Sequence, residues 1–178
     1  VRFWSSRGVL FALVVVWLSG GAAVSAAPDD HPLVARFEGS RLQRKKVDEA
    51  GKYMLVTDRS LKGDLVGRAL AGTVTRIVYE NPRGPSTREI FGAYQKSLLR
   101  AGMIEIYACE MAQCGPADKR GAWNGFNGLF TAAEGDPRYL AGTLVKGPAT
   151  TYVAVMVGRA HTQVDIVEIL TPEKSGAR

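Results

Sequence analysis

From Thr73 to Glu80 the chain alternates, with Val74 and Val78 on one side of a pleat and Thr75, Ile77 and Tyr79 on the other. β-Branched and aromatic residues at period two predict a strand. Asn81-Pro82-Arg83-Gly84-Pro85 ends it, because proline has no amide donor and glycine accepts turn geometry. Ser86-Thr87-Arg88-Glu89 has the spacing of a capping box, in which the Ser86 oxygen accepts from the Glu89 amide and the Glu89 carboxylate reaches back. Ile90, Tyr94, Leu98 and Ala101 then form an apolar stripe on one helical face, and Gly102 is placed to stop the helix. The helix is expected over 86–101. Met103–Cys109 alternates again, with Ile104, Ile106 and Ala108 on one face.

Arg41–Val47 and Lys52–Asp58 read as a hairpin around Asp48-Glu49-Ala50-Gly51, and Arg41, Arg44, Lys45 and Lys46 mark its first strand as a charged edge. Arg59–Arg68 reads as a loop. Trp123, Phe126 and Phe130, at spacings of three and four, suggest a short helical turn. Tyr139–Val145, Thr151–Val157 and Gln163–Leu170 predict three closing strands, the last two joined by a turn over Gly158–Thr162. The middle one is apolar on both faces and should be central. The expectation is a single α+β domain over 27–171, a largely antiparallel sheet covered by one main α-helix, followed by a disordered tail at 172–178.

The N-terminus changes the picture. VRFWSSR precedes ten uninterrupted apolar residues, Val9–Leu18, and a small-residue stretch ending AAVSAAP. That is the pattern of a secretory signal peptide, 1–26, with cleavage near Ala26. Ten residues span roughly 15 Å as a helix, about half a bilayer core, so no transmembrane helix is expected in the mature protein. The formal net charge is +6, to which the signal segment contributes two arginines and no acids. A mild positive charge fits a soluble protein with a scattered basic surface; the sharper reading is attraction to an anionic envelope surface. No nucleic-acid partner is expected.

The only two cysteines, Cys109 and Cys114, fit an oxidising compartment and predict a disulfide. A redox pair is usually Cys-x-x-Cys, and a metal site would need further ligands nearby. No metal or cofactor is expected. No G-x-S-x-G elbow, P-loop or G-x-G-x-x-G fingerprint occurs. His31 beside Asp30 is a neighbour pair in sequence rather than a catalytic dyad. Asp118 and Glu134 are acids without a recognisable partner. Trp123, Phe126 and Phe130 are read either as core packing or as a stacking platform for a sugar or peptide. Arg76 lies inside an apolar strand, where a lone buried charge is costly. It sits on an exposed face, pairs with an acid such as Glu80 or Glu105, or faces an anionic ligand.

DHPLVARFEGS, then GTVTRIVYENPRGPSTREIFGAYQKSLLRAGMIEIYAC, then RYLAG and QVDIVEI resemble a Gram-negative envelope domain family of unknown function. Its members often stand in front of an OmpA-like peptidoglycan-binding domain. The matching positions include Asp30, His31, Pro32, Arg76, Tyr79, Ser86, Thr87, Tyr94, Gly102, Cys109 and Cys114. The resemblance implies a periplasmic, outer-membrane-associated location and transfers no catalytic residue. The sequence ends at Arg178, where an OmpA-like domain would follow, so peptidoglycan binding through that domain is not carried over. The combined expectation is an exported envelope accessory or binding module without catalysis, using Arg76, Asp30, His31, Trp123 or Phe126 toward an envelope protein, lipid or glycan, with peripheral membrane association. The alternatives are an enzyme around Asp30, His31 and Arg76, or a module that recruits a partner by strand-edge addition.

Overall fold

A computed structural model describes residues 24–25, 29–126, 128–146 and 149–170. In chain order it contains β1 (Val24–Ser25), β2 (Arg36–Phe37), β3 (Arg41–Arg59), β4 (Leu65–Glu80), α1 (Thr87–Arg100), β5 (Ile104–Glu110), α2 (Ala122–Gly125), β6 (Arg138–Lys146), β7 (Ala149–Val157) and β8 (His161–Leu170). Short 3-10 turns lie at Met111–Cys114, Ala117–Lys119 and Phe130–Glu134. β3 to β8 form one antiparallel sheet in the order β3-β4-β8-β7-β6-β5, and β1 and β2 pair separately. The expected signal segment lies outside the described residues apart from 24–25, and the expected tail at 172–178 lies outside them as well.

The expected α+β architecture under one main helix is corrected. The described residues are mostly antiparallel sheet, and the two helices among them are short: α1 has 14 residues and α2 has four. α1 forms as its sequence dictates. Ser86 Oγ accepts from the Glu89 amide, Glu89 answers on the Ser86 amide, and Gly102 leaves the helix at φ 90°. The buried stripe is Ile90, Phe91, Tyr94 and Leu98; Ala101 is exposed. The stripe packs on one sheet face against Ile77 and Tyr79 of β4, Val164 and Ile166 of β8, Val153 and Val155 of β7, and Leu140 of β6.

Among the described residues no long helix covers the opposite face. The tract 41–59, expected to be a hairpin, is one strand paired with β4 from Arg41↔Glu80 to Arg59↔Leu65. Asp48–Gly51 is not a turn but a bulge, where the register shifts. The bend needs glycine: a Cβ on Gly51 would lie 2.6 Å from Val74 Cγ2, and one on Gly72 would lie 2.3 Å from the Glu168 carbonyl. The true turn is at 60–64, where the Ser60 amide donates to Asp64 and the Gly63 amide to Ser60. Part of the tract read as a loop is therefore the start of β4.

β4 pairs with β8 only from Thr73 to Glu80. Its outer half leaves the sheet with β3 and folds over the second face. Tyr53, Leu55, Val56 and Leu70 from this ribbon share a core with Tyr139, Ala154, Met156, Val167 and Trp123. The Tyr139 hydroxyl of β6 donates to the Val56 carbonyl at 3.2 Å, which fixes how far the ribbon reaches. Sheet, ribbon and the 111–134 loop enclose a concave interior.

Candidate functional site

Asp30 and His31 stand at the helix-covered face. The Asp30 carboxylate is buried and accepts from the Tyr79 hydroxyl at 2.8 Å, the Arg36 Nε at 2.8 Å and the Arg36 amide at 3.2 Å. Next to it the Tyr94 hydroxyl accepts from the Phe37 amide at 3.2 Å. Burial, first, and the bond to Asp30, second, push the Tyr79 phenol far above its ordinary value. His31 Nδ1 accepts from the Leu33 amide at 3.3 Å, which places its proton on Nε2, 3.6 Å from Glu168 Oε2. Burial lowers the His31 pKa against the pull of Glu168. These groups clamp the segment before β3 onto the sheet.

Arg76 points to the opposite face. It is three residues from Tyr79 on β4, and period two puts an odd separation on opposite sides. The sheet therefore separates Arg76 from Asp30 and His31, and the three do not converge. Glu80 is bound to Arg41 and Gln43, at 2.6 Å each, and Glu105 accepts from Gln95 at 3.0 Å. The acid beside Arg76 is Asp165, its register partner on β8.

Asp165 is 1% exposed. Its Oδ2 accepts from the Tyr53 hydroxyl and from Gln163 Nε2, both at 3.0 Å. The Arg76 guanidinium stands 5.9 Å from the Tyr53 ring centre. Burial pushes the Asp165 carboxyl up to about 6, against the hydrogen bonds from Gln163 and Tyr53 and the charges of Arg76 and Arg44. Among the described residues, Asp165 Oδ1, Gln163 Oε1 and Arg76 Nε have no hydrogen-bond partner. A cavity of about 20 Å³ beside Arg76, lined by Lys46, Asp48, Lys52 and Val74, has room for one water-sized group. Sequence reading missed Asp165, although Gln163-x-Asp165 puts two polar side chains on one face of an otherwise apolar strand.

The cysteines form the expected disulfide, Cys109–Cys114. It closes the end of β5 onto the first 3-10 turn. Trp123 Nε1 donates to the Cys114 carbonyl at 2.9 Å, and its ring lies 5.0 Å from that of Tyr139. At 1% exposure Trp123 is core and offers no stacking face. Phe126 packs on the ribbon, where a Cβ on Gly67 would lie 2.4 Å from its ring. Arg59 ties the ribbon tip to the cysteine loop, donating to the Gln113 carbonyl at 3.0 Å and to the Gly63 carbonyl. A cleft of about 610 Å³ lies between tip and loop, bordered by Arg59, Asp64, Asp118 and Lys119.

Glu134 does have a partner. Its Oε1 lies 2.5 Å from His161 Nδ1, and its Oε2 accepts from the amides of Ala160 and His161. It holds the turn between β7 and β8. Among the described residues no three His, Cys, Asp or Glu side chains gather as a metal site.

No family model and no curated protein matches this chain. Its function has to be read from these residues.

Proposed function

We propose that the chain is an exported accessory module of the cell envelope, one that binds an envelope protein, lipid or glycan without transforming it. The observation that carries this reading is the Cys109–Cys114 disulfide, which fits an oxidising export compartment. The signal-like pattern at 1–26 points the same way. Among the described residues no helix is long and apolar enough to cross a membrane. Binding is favoured over catalysis around Asp30, His31 and Arg76, because the first two anchor a segment and the third faces away from them. A second reading, strand addition, is favoured by β5. This edge strand exposes Ile104 at 66% and Ile106 at 36%, whereas the β3 edge is charged.

The test is expression of the full chain in a Gram-negative host, followed by fractionation and alkylation of free thiols. The expected result is a processed protein in the periplasm with no alkylated cysteine. A cytoplasmic chain with two reactive thiols would overturn the proposal. Capture of a defined envelope component by the immobilised protein, with no turnover of that component, is the expected second result.

A further inference from the structure

The first turn of α1 carries, beside the favourable Glu89 of its capping box, one charge of the wrong sign for the helix's own stability. Arg88 is the second residue of the helix, where the helix dipole is positive and acids are favoured. It is exposed, with no ion-pair or hydrogen-bond partner among the described residues. Arg138 at the start of β6 is 8% exposed, donates Nε to Thr87 Oγ1 at 3.1 Å and pairs through Nη1 with Glu110. Burial, first, and the like charge of Arg88, second, push the Arg138 guanidinium below its ordinary value. Arg159, from the turn between β7 and β8, pairs through Nε and Nη2 with Asp136 at 3.0 Å each. Ser86, Thr87 and these three arginines, with Asp136, border one cleft of about 340 Å³.

A guanidinium has five N–H donors. Arg159 uses two on Asp136 and Arg138 gives its Nε to Thr87, while Arg138 Nη1, ion-paired with Glu110, has no hydrogen-bond partner and Arg88 uses none. The cap occupies the amides of Glu89 and Ile90, and those of Thr87 and Arg88 have no intrahelical acceptor. Asp136 and Glu110 balance one arginine each, which leaves Arg88 as the uncompensated cation. A carboxylate offers two oxygens to these donors; a terminal phosphate offers three, and guanidinium forks match its geometry. The helix start adds open amides, but the three guanidiniums make the site.

We propose that this cleft binds a terminal phosphate group, with Arg88 as the principal cation and Arg138 and Arg159 as flanking donors. The inference rests on the binding-module reading and names its ligand class. The same terminal phosphate is presented by a soluble phosphate monoester and by the headgroup of phosphatidic acid.

The test is calorimetric titration of the purified chain with inorganic phosphate and glycerol phosphate at fixed ionic strength. Co-sedimentation with phosphatidic acid vesicles, against phosphatidylcholine vesicles, runs beside it. Saturable binding in the titration is the expected result for a soluble source, and binding confined to the anionic vesicles is the expected result for a headgroup. In either arm Arg88→Ala should weaken binding about tenfold, without a fall in melting temperature. Arg159→Gln, which frees Asp136 to repel an anion, should lose at least as much. Lys96→Ala removes one charge from an exposed position further along the same helix and should change nothing. No binding in either arm, or equal losses in Arg88→Ala and Lys96→Ala, would overturn the inference. These outcomes do not depend on where the chain resides. Failed phosphate binding in a correctly exported chain removes this inference alone, and a cytoplasmic chain removes only the envelope reading.

Discussion

The two faces of the sheet bury comparable apolar cores by different means. On one face a single local element, α1, supplies Ile90, Phe91, Tyr94 and Leu98. On the other, pieces far apart in the chain meet: the bent β3–β4 ribbon, the disulfide loop and Trp123. The helix-covered face puts its polar anchors, Asp30 and His31, at its margin. The concave face encloses Asp165, Gln163 and the Tyr53 hydroxyl among apolar residues. A helix satisfies its own backbone and presents one apolar stripe. A face closed by loops and a bent ribbon needs side-chain bonds, a covalent link and buried polar groups to hold its parts in place.

The largest expected effect follows from this difference. Trp123 joins the loop to the sheet through the Cys114 carbonyl and the Tyr139 ring. Trp123→Ala should cost about 3–5 kcal/mol in urea unfolding, a large part of the stability of an ordinary domain. Ile90→Val on the helix-covered face should cost only about 1 kcal/mol. If the two variants unfold at the same urea concentration, the loop does not close the concave face and the comparison fails.

The same contrast explains what was legible in the sequence. α1, its cap and its stop were legible because each signal lies within a few residues of the structure it produces. β7 was legible as central because it is apolar on both faces, and the cysteine pair because its two members are close in the chain. The bent ribbon was not. Asp48-Glu49-Ala50-Gly51 carries turn chemistry, and a bulge uses the same residues as a turn. Only the pairing with β4, across a long separation, decides between them. Two short helices beside a six-stranded sheet also escaped, because the strength of one helical signal says little about how much sheet that helix covers. Arg76 was marked as an anomaly, but its neighbour Asp165 is set by strand register. Trp123 and Phe126 showed a helical spacing, and nothing in that spacing says whether the rings point inward. Arg88, Arg138 and Arg159 meet only because α1, β6 and the β7–β8 turn end at the same corner of the sheet.

The second effect is a dependence on pH that differs in sign between the faces. Burial holds Asp165 near 6 in the folded chain against an ordinary 3.8, so between about pH 4 and 6 the folded chain keeps a proton that the unfolded chain has released. This contribution to stability is fully present below about pH 4 and is lost as pH rises through 6, by up to about 3 kcal/mol. His31 runs the other way. Burial lowers its pKa, so its contribution is present above its ordinary 6.5 and is lost as pH falls through the lowered folded value. Asp165→Asn removes the first limb only. Its new amide has Gln163 Oε1 as a nearby acceptor in need of a donor. Urea midpoints at pH 4, 5, 6 and 7 should show the variant gaining on the wild type as pH rises, with the His31 limb intact. Parallel profiles for the two proteins would remove Asp165 as the cause.

The smallest effect tests the face whose closure is local. Ser86 Oγ accepts from the Glu89 amide at 3.2 Å, and the Glu89 carboxylate accepts from the Ser86 amide at 2.7 Å and its hydroxyl at 2.8 Å. Backbone and hydroxyl bonds from Ser86 hold the Glu89 carboxyl below its ordinary value. Ser86→Ala removes the hydroxyl from both bonds and leaves the Ser86 amide to Glu89, so it should cost about 1 kcal/mol and leave the urea slope unchanged. Ser86→Thr should recover most of it, since threonine also caps. The concave face has no counterpart to this rescue: its closure runs through several distant partners at once, and no single conservative exchange restores them. A Ser86→Ala loss as large as that of Trp123→Ala would mean that α1 is held as cooperatively as the loop, and that the two faces differ in sequence pattern but not in how they are stabilised.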